Sequence, residues 1–444
     1  MASISPGISP AAPVAANDKA ELKIGRGSAY FWLGIVTLIY FFDCADRVVV
    51  ASMFPAIKAE FKLSDFELGL LGNVLGIVMA VLVVPMAALV DRWSRKYMIS
   101  IMVALWSGFT WACAWAGNFG QLLTFRALVG VGEAAYNPAG YALISTWFPQ
   151  KMRALAIGIF TAAQPISGVL AMGLGGTLAM MYGWRGVLGI FAVPGLILAL
   201  VILFAPDFKT EKVEAGKLQV VKPSFWETVR YALRTRSLLT IYISQIFVWF
   251  WAGVFIVWLP SFIGRAYNLN MAVAGQMVMI AFGCAIAGPP LVGSFADWLF
   301  KRHVAGRLIA NVIVLVIAVV FWTAVFVGAN AGVALPVVMV CWCIAQFCTA
   351  GNFGLPVTAA LDLTPAHYRG VSQSFIPMLG NGIGFVASPF VGILSDNFGL
   401  TLALLATMWI GFGIGAIVVG LAARSYGEDY RKSKELGEFV LETN

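Results

Sequence analysis

Twelve runs of about 20 or more largely apolar residues constrain this chain more than any other feature. They span roughly 29–52, 66–90, 97–116, 121–144, 153–181, 184–205, 238–263, 272–296, 306–328, 333–356, 370–394 and 399–422. About 20 apolar residues in a helix cross a hydrocarbon layer about 30 Å thick. In that layer every backbone amide needs an internal partner, so only helices and closed barrels can span it. The runs are continuously apolar and do not alternate, which argues against a barrel. Composition agrees, at 60% hydrophobic and 11% charged, where soluble chains carry about 25% charged residues. The expected fold is an all-α membrane protein of twelve transmembrane helices, the fifth long enough for tilt or an uneven end.

The net charge of +8 is unevenly placed. With both termini cytoplasmic, 23 of the 29 Lys and Arg fall on the cytoplasmic side. Lys58, Lys62, Arg185 and Arg265 fall outside, and Arg47 and Arg126 lie within apolar runs. This asymmetry sets orientation by the positive-inside rule. The basic balance is therefore topological and needs no nucleic-acid partner.

The second half repeats the first. Ala87-xxx-Asp91 with Arg95-Lys96 recurs as Gly293-xxx-Asp297 with Lys301-Arg302, an offset of 206. Pro149-xxx-Arg153-Ala154 recurs as Pro365-xxx-Arg369-Gly370, and Tyr182-Gly183 as Phe398-Gly399, both offset by 216. Two pseudo-symmetric six-helix bundles follow from such a duplication. The expected organisation is a tail at 1–28, bundles at 29–205 and 238–423, a linker at 206–237 and a tail at 424–444, both tails cytoplasmic. Phe225 to Leu233 reads as an amphipathic surface helix. Ser64 to Glu67 (SDFE) is a capping box opening the second helix. Pro165, Pro289, Pro290, Pro356 and Pro377 are placed to bend or break helices.

Charge inside the apolar runs is the chemically informative feature. Arg126 and Glu133 share the fourth run, seven residues apart. Helical geometry puts them on one face about 10 Å apart along the axis, too far for a direct pair. Each needs a partner from another helix, and the first run offers Asp43, Asp46 and Arg47. A charge at membrane depth costs about 2.5–3.5 kcal/mol on insertion scales, so ionisable residues there mark substrate or proton paths by default. A purely structural ion-pair network is the alternative. In the second half Tyr242, Gln245, Trp249, Trp258, Gln276, Gln346, Asn352 and Gln373 are candidates to line a cavity, or to pack helices.

Other chemistries lack their parts. All six cysteines fall in apolar runs, and the two histidines, His303 and His367, lie in loops on the cytoplasmic side. These residues assemble no metal site, catalytic triad or Cys-His pair. The expectation is no enzyme activity, no metal and no cofactor. A channel would need a pore ring, which duplicated halves with central charges do not suggest.

Two six-helix halves with a charged turn after the second and eighth helices resemble the major facilitator superfamily over nearly the whole chain. The family's turn has Gly where Ala87 and Ser94 stand, and the second copy has Trp298 for a basic residue. The resemblance implies a gating latch at Asp91, Arg92, Arg95, Lys96 and Asp297. Within the superfamily the first half is similar to the anion:cation symporters, which include galactonate and hexuronate transporters. Asp46-Arg47, Arg126, Gly132-Glu133-Ala134, Trp147-Phe148-Pro149-Gln150, Arg153-Ala154, Gln164 and Tyr182-Gly183-Trp184-Arg185 carry that likeness. It implies proton coupling at Asp46 and Glu133, and substrate binding at Arg47, Arg126, Gln164 and Asn381. Cys44 stands where that group has Tyr, which leaves the substrate open. GVGEAAY (130–136) also resembles Spinster-like lysolipid transporters.

The resulting expectation is a monomeric transporter in the cell inner membrane, both termini cytoplasmic, that carries a small organic anion with protons by alternating access. Spinster-like lysolipid transport, or metabolite or drug efflux by proton antiport, is the alternative. The five buried charges sum to −1 when all acids are ionised and to +1 after two protonations. Protonating a carboxylate frees its arginine for an anion, and a guanidinium suits a carboxylate in fork geometry. Asp43 is expected to pair only with Arg47, four residues on.

Overall fold

A computed structural model describes residues 25–92, 94–134, 136–206, 225–365 and 369–442. For some helical residues, Asp91, Arg92, Arg95, Gln373 and Asn381 among them, only the backbone is described. The expected tail up to residue 24 and most of the linker, 207–224, lie outside the described residues.

The described chain is helical. The first half holds α1 (Arg26–Ser52), α2 (Phe54–Phe61), α3 (Asp65–Arg92), α4 (Arg95–Cys113), α5 (Phe119–Glu133), α6 (Tyr136–Trp147) and α7 (Gln150–Val201). After α8 (Phe225–Arg234) come α9 (Arg236–Ala266), α10 (Met271–Ala285), α11 (Gly288–Phe300), α12 (Gly306–Asn330), α13 (Leu335–Asn352), α14 (Gly354–Leu363), α15 (Arg369–Phe398), α16 (Leu400–Met408) and α17 (Ile414–Glu442).

Four apolar runs are interrupted: a π-helical turn at Trp409–Gly413 separates α16 from α17, and proline places the other three breaks. A helical proline cannot donate to the carbonyl four residues back, and its ring clashes with that group. Ala134 stands four before Pro138, Ala285 four before Pro289 and Asn352 four before Pro356, and α5, α10 and α13 stop at or beside these residues. Pro165 and Pro194 inside α7 cause no such break. Joined across their breaks, α5–α6, α10–α11 and α13–α14 each make one pass.

α7 makes two passes. At Gly183 the backbone turns through φ 68° and ψ 162°, a region that glycine enters without steric cost. Gly399, 216 residues on, does the same at the start of α16, with φ 83° and ψ 151°. The duplication is thus present in the backbone as well as in the residue pattern.

Seven described stretches are long and apolar enough to cross a membrane, including the 54 residues Lys151–Phe204, which hold two passes. α1, α4, α5–α6 and α15 complete the twelve. Large apolar side chains such as Val81, Leu155 and Ile417 point outward, as a lipid-facing surface requires.

Ser64 N–H donates to Glu67 Oε2 at 2.8 Å and Glu67 N–H to Ser64 Oγ at 3.2 Å, a capping box at the start of α3 as expected. The surface helix forms as α8, but it docks on the second half. Thr228 and Ala232 are buried, and Tyr231 Oη donates to Leu363 O at 2.7 Å. The tail expected from residue 424 continues α17 without a break to Glu442. It is tied back where Asp429 accepts from Ser237 N–H at 2.9 Å.

The halves touch at the end that carries the 53–64 connection. A Cβ on Gly69 of α3 would stand 2.5 Å from Ser388 O, and one on Gly392 of α15 would stand 2.5 Å from Asp65 O. Only glycine permits backbones so close. Asp65 anchors this contact. Arg265 Nη1 and Nη2 donate to its two oxygens at 2.6 and 2.7 Å, Ser395 Oγ donates at 2.5 Å, and Lys58 also pairs with it. In return Asp396 accepts the N–H groups of Asp65 and Phe66 at 2.8 and 3.0 Å, a carboxylate stabilising a helix N-terminus.

Candidate functional site

Charges from α1 and α5 meet in two clusters inside the first half. α1 presents Asp43, Asp46 and Arg47 across one turn of helix. α5 presents Arg126 at mid-length and Glu133 as its last residue. The proline break that ends α5 therefore places Glu133 at a helix terminus.

Arg47 lies between two acids. Its Nη2 donates to Asp43 Oδ2 at 2.6 Å and its Nε to Glu133 Oε2 at 2.7 Å. Both acid side chains are fully buried, whereas Arg47 keeps 24% of its surface. Asp43 Oδ1 and Glu133 Oε1 are buried with no hydrogen-bond partner.

Arg126 is paired differently. Its Nη1 donates to Asp46 Oδ2 at 2.9 Å and its Nη2 to the Asp46 carbonyl at 3.3 Å. Thr110 Oγ1 of α4 donates to the same carboxylate oxygen at 3.2 Å. The Arg126 side chain is 1% exposed, so this pair is sealed. Arg126 and Glu133 thus each find a partner on α1, as their seven-residue spacing requires.

Gln164 of α7 reaches the site through Tyr40, whose Oη donates to Gln164 Oε1 at 3.4 Å. Tyr40 stacks on Phe160 with centroids 4.6 Å apart. Tyr136 closes the same wall, its Oη donating to Val36 O at 2.6 Å. Sequence reasoning missed Thr110 and Tyr40. A Thr or Tyr inside an apolar run carries no signal until a neighbour is known. The side chain of Asn381 lies outside the described residues.

The second-half candidates separate. Trp258 Nε1 donates to Ser388 O at 3.2 Å and its ring lies against Phe54, so it packs the contact between halves. Asn352 accepts from Asn311 Nδ2 at 2.6 Å and joins two helices. Gln276 is exposed. Gln245 is fully buried, with neither amide atom partnered. Gln346 Oε1 and Trp249 Nε1 are also unpartnered.

Of the expected latch, the side chains of Asp91, Arg92 and Arg95 lie outside the described residues, while Lys96 sits over the Tyr97 ring at 5.3 Å. Asp297 accepts from Arg307 Nη2 at 2.9 Å and Nε at 3.1 Å. Arg307 also pairs with Asp362, which accepts from Tyr426 Oη at 3.2 Å. This network ties α11, α12, α14 and α17 together.

The family model described as Major Facilitator Superfamily matches residues 36–387. A probable L-galactonate transporter of Escherichia coli is 28% identical over 270 residues, 59% of this chain and 60% of that protein. Protein spinster of Drosophila melanogaster is 24% identical over 88% of this chain and 65% of its own length. The chain thus spans less than two thirds of either relative. A probable galactarate/D-glucarate transporter of Escherichia coli is 24% identical over 84% of this chain and 90% of its own. The solved structure of a bacterial homologue of the human lysosomal transporter Spinster, inward-facing and unoccupied, has a TM-score of 0.80 at 23% identity. It covers 91% of this chain and 99% of that one.

Proposed function

The chain belongs to the Major Facilitator Superfamily, and on that premise we propose that it is a proton-coupled symporter of a small organic anion, a sugar acid or similar carboxylate. The observation that carries the reading is Arg47, partly exposed and held by two buried acids. Relatives whose names specify galactonate, galactarate/D-glucarate and hexuronate support a carboxylate cargo.

The mechanism follows from charge. An ionised Glu133 occupies Arg47 and excludes an external anion. A proton on Glu133 weakens that pair, and the freed Nε can hold a carboxylate. Removing one partner from a buried pair costs about 3–5 kcal/mol, so a bare Arg47 is disfavoured and proton and anion bind together. Arg126 and Asp46 form a second such pair, and Gln164 and Asn381 supply polar contacts to the cargo. Asp91, Arg92, Arg95, Lys96 and Asp297 latch the cytoplasmic ends of the bundles 29–205 and 238–423. The chain works as a monomer in the cell inner membrane, both termini cytoplasmic, which puts the Asp65 contact on the outer side. Alternating access then opens that contact in one state and the latch in the other.

The test is Glu133→Gln, which mimics the protonated acid in shape and charge. It is expected to retain counterflow of labelled L-galactonate, D-glucarate or D-glucuronate in proteoliposomes and to lose uptake driven by a pH gradient. Full pH-driven uptake by the mutant would overturn the coupling role. A second reading, a Spinster-like lysolipid transporter, has the match over 88% of the chain in its favour. It prevails if lysolipids stabilise the purified protein and none of these anions does.

A further inference from the structure

The two clusters are unequal in charge, and the difference assigns a role to Asp43. The Asp46–Arg126 cluster has one acid and one base, and Thr110 gives the shared oxygen a second donor. It is neutral as it stands. The other cluster has two acids on one base. Asp43 and Glu133 each reach Arg47 through one oxygen, both side chains are fully buried, and each has its other oxygen buried without a partner. Ionised together, these three groups leave one uncompensated negative charge in an apolar bundle. A buried charge without a partner is strongly disfavoured, and two acids that share a site take up a proton in preference.

We propose that Asp43 and Glu133 share one resident proton across Arg47 in the substrate-free protein, so that Asp43 is a second proton-holding residue of the site. This deepens the symporter reading and rests on it for its role in transport. The charged and titratable groups facing the pair, among the described residues, are few. From α1 they are Tyr40, Cys44, Asp46 and Arg47. From α5 they are Arg126, and from α6 Tyr136. Asp46 and Arg126 compensate each other, and the thiol and phenols are neutral at neutral pH, so no second cation is available to the pair. With one resident proton the cluster is neutral. A monoanion that displaces the remaining carboxylate from Arg47 then brings one further proton, and the cluster stays neutral. That balance gives one proton per monovalent anion, and both acids carry protons in the loaded state. With a single acid on Arg47, the empty cluster is neutral without any proton.

The resident proton can be read without substrate. Infrared spectroscopy of the purified, substrate-free protein at neutral pH is expected to show the carbonyl stretch of a protonated carboxyl group, sensitive to deuterium exchange. Asp43→Asn and Glu133→Gln are each expected to abolish it, because either substitution leaves one acid for one arginine. Asp43→Glu is expected to restore it. Retention of the band in either neutral mutant, or its absence from the wild type, would overturn the proposal. Where Asp43→Asn fails to fold, Glu133→Gln and Asp43→Glu still decide between these outcomes. In transport, Asp43→Asn is expected to leave the pH of half-maximal L-galactonate or D-glucarate uptake nearly unchanged, because in the wild type the proton that enters with the anion already meets a neutral neighbour. A shift of a unit or more toward acid would mean that both acids are ionised in the empty wild type, and would overturn the shared proton. If the wild type moves none of these anions, the symporter reading fails, while the infrared result still decides whether the proton is shared.

Discussion

Substituting Asp65 with Ala should unseal the end of the molecule where the two halves meet. Asp65 accepts three side-chain hydrogen bonds from the second half: two from Arg265, at 2.6 and 2.7 Å, and one from Ser395, at 2.5 Å. Bonds to a charged group each contribute about 1.5–3 kcal/mol. Arg265 is 39% exposed, so solvent screening cuts its two bonds to about 1 kcal/mol together. Asp396 still caps the backbone of residues 65 and 66 in the mutant, and that contact is retained. The net loss is about 2–3 kcal/mol. At tenfold per 1.4 kcal/mol this shifts the equilibrium about 30- to 150-fold away from the sealed state. The assay is pulsed electron resonance with spin labels at Ala59 and Ala331, exposed positions on opposite halves, in a background free of the native cysteines. A longer distance should appear or grow in the mutant. An unchanged distribution in folded Asp65→Ala would refute the idea that these bonds hold the halves together.

Three further outcomes are expected. Arg47→Lys keeps the charge but loses the planar fork that spans Asp43 and Glu133, and should weaken binding of L-galactonate or D-glucarate about 10- to 100-fold in calorimetry. Gly69→Val places a Cβ 2.5 Å from Ser388 O and 2.9 Å from Pro389 Cα, so the same spin labels should report a loss of the sealed state without any change in charge. Glu60 accepts from Arg185 at 2.6 Å and Trp184 at 2.7 Å. The bond from Arg185 holds its carboxyl below the usual range, with burial opposing. A depressed folded value means the contribution is full above the ordinary carboxylate range and lost as pH falls through the folded value. The thermal-stability difference between wild type and Glu60→Gln should therefore shrink at acid pH and stay constant near neutrality.

Much of this protein is legible in its amino-acid sequence. Run length against membrane thickness decides the number of passes, because a backbone in hydrocarbon has so few solutions. The spacing of Arg126 and Glu133 shows that both need partners elsewhere, since helix geometry is rigid. The offset of 216 that relates Tyr182-Gly183 to Phe398-Gly399 foreshadows two matching backbone turns. Proline positions explain three helix breaks, although hydropathy alone makes those runs continuous.

Tertiary structure decided what depends on which helices become neighbours. Asp43, Asp46 and Arg47 lie within one turn of α1, and although the four-residue spacing suits Asp43 to Arg47, nothing local says which of these groups meet Arg126 and Glu133 of α5. Packing gives Asp46 to Arg126 and leaves Asp43 and Glu133 together on Arg47. It makes Asp65 the anchor between halves by bringing residues 200 and 330 positions away against it, and it turns Thr110, an ordinary residue of an apolar run, into a donor to Asp46. Sequence periodicity specifies the face of a helix that carries charge, whereas pairing requires the angle and depth at which two helices cross. Those are set by side-chain volumes along the whole contact.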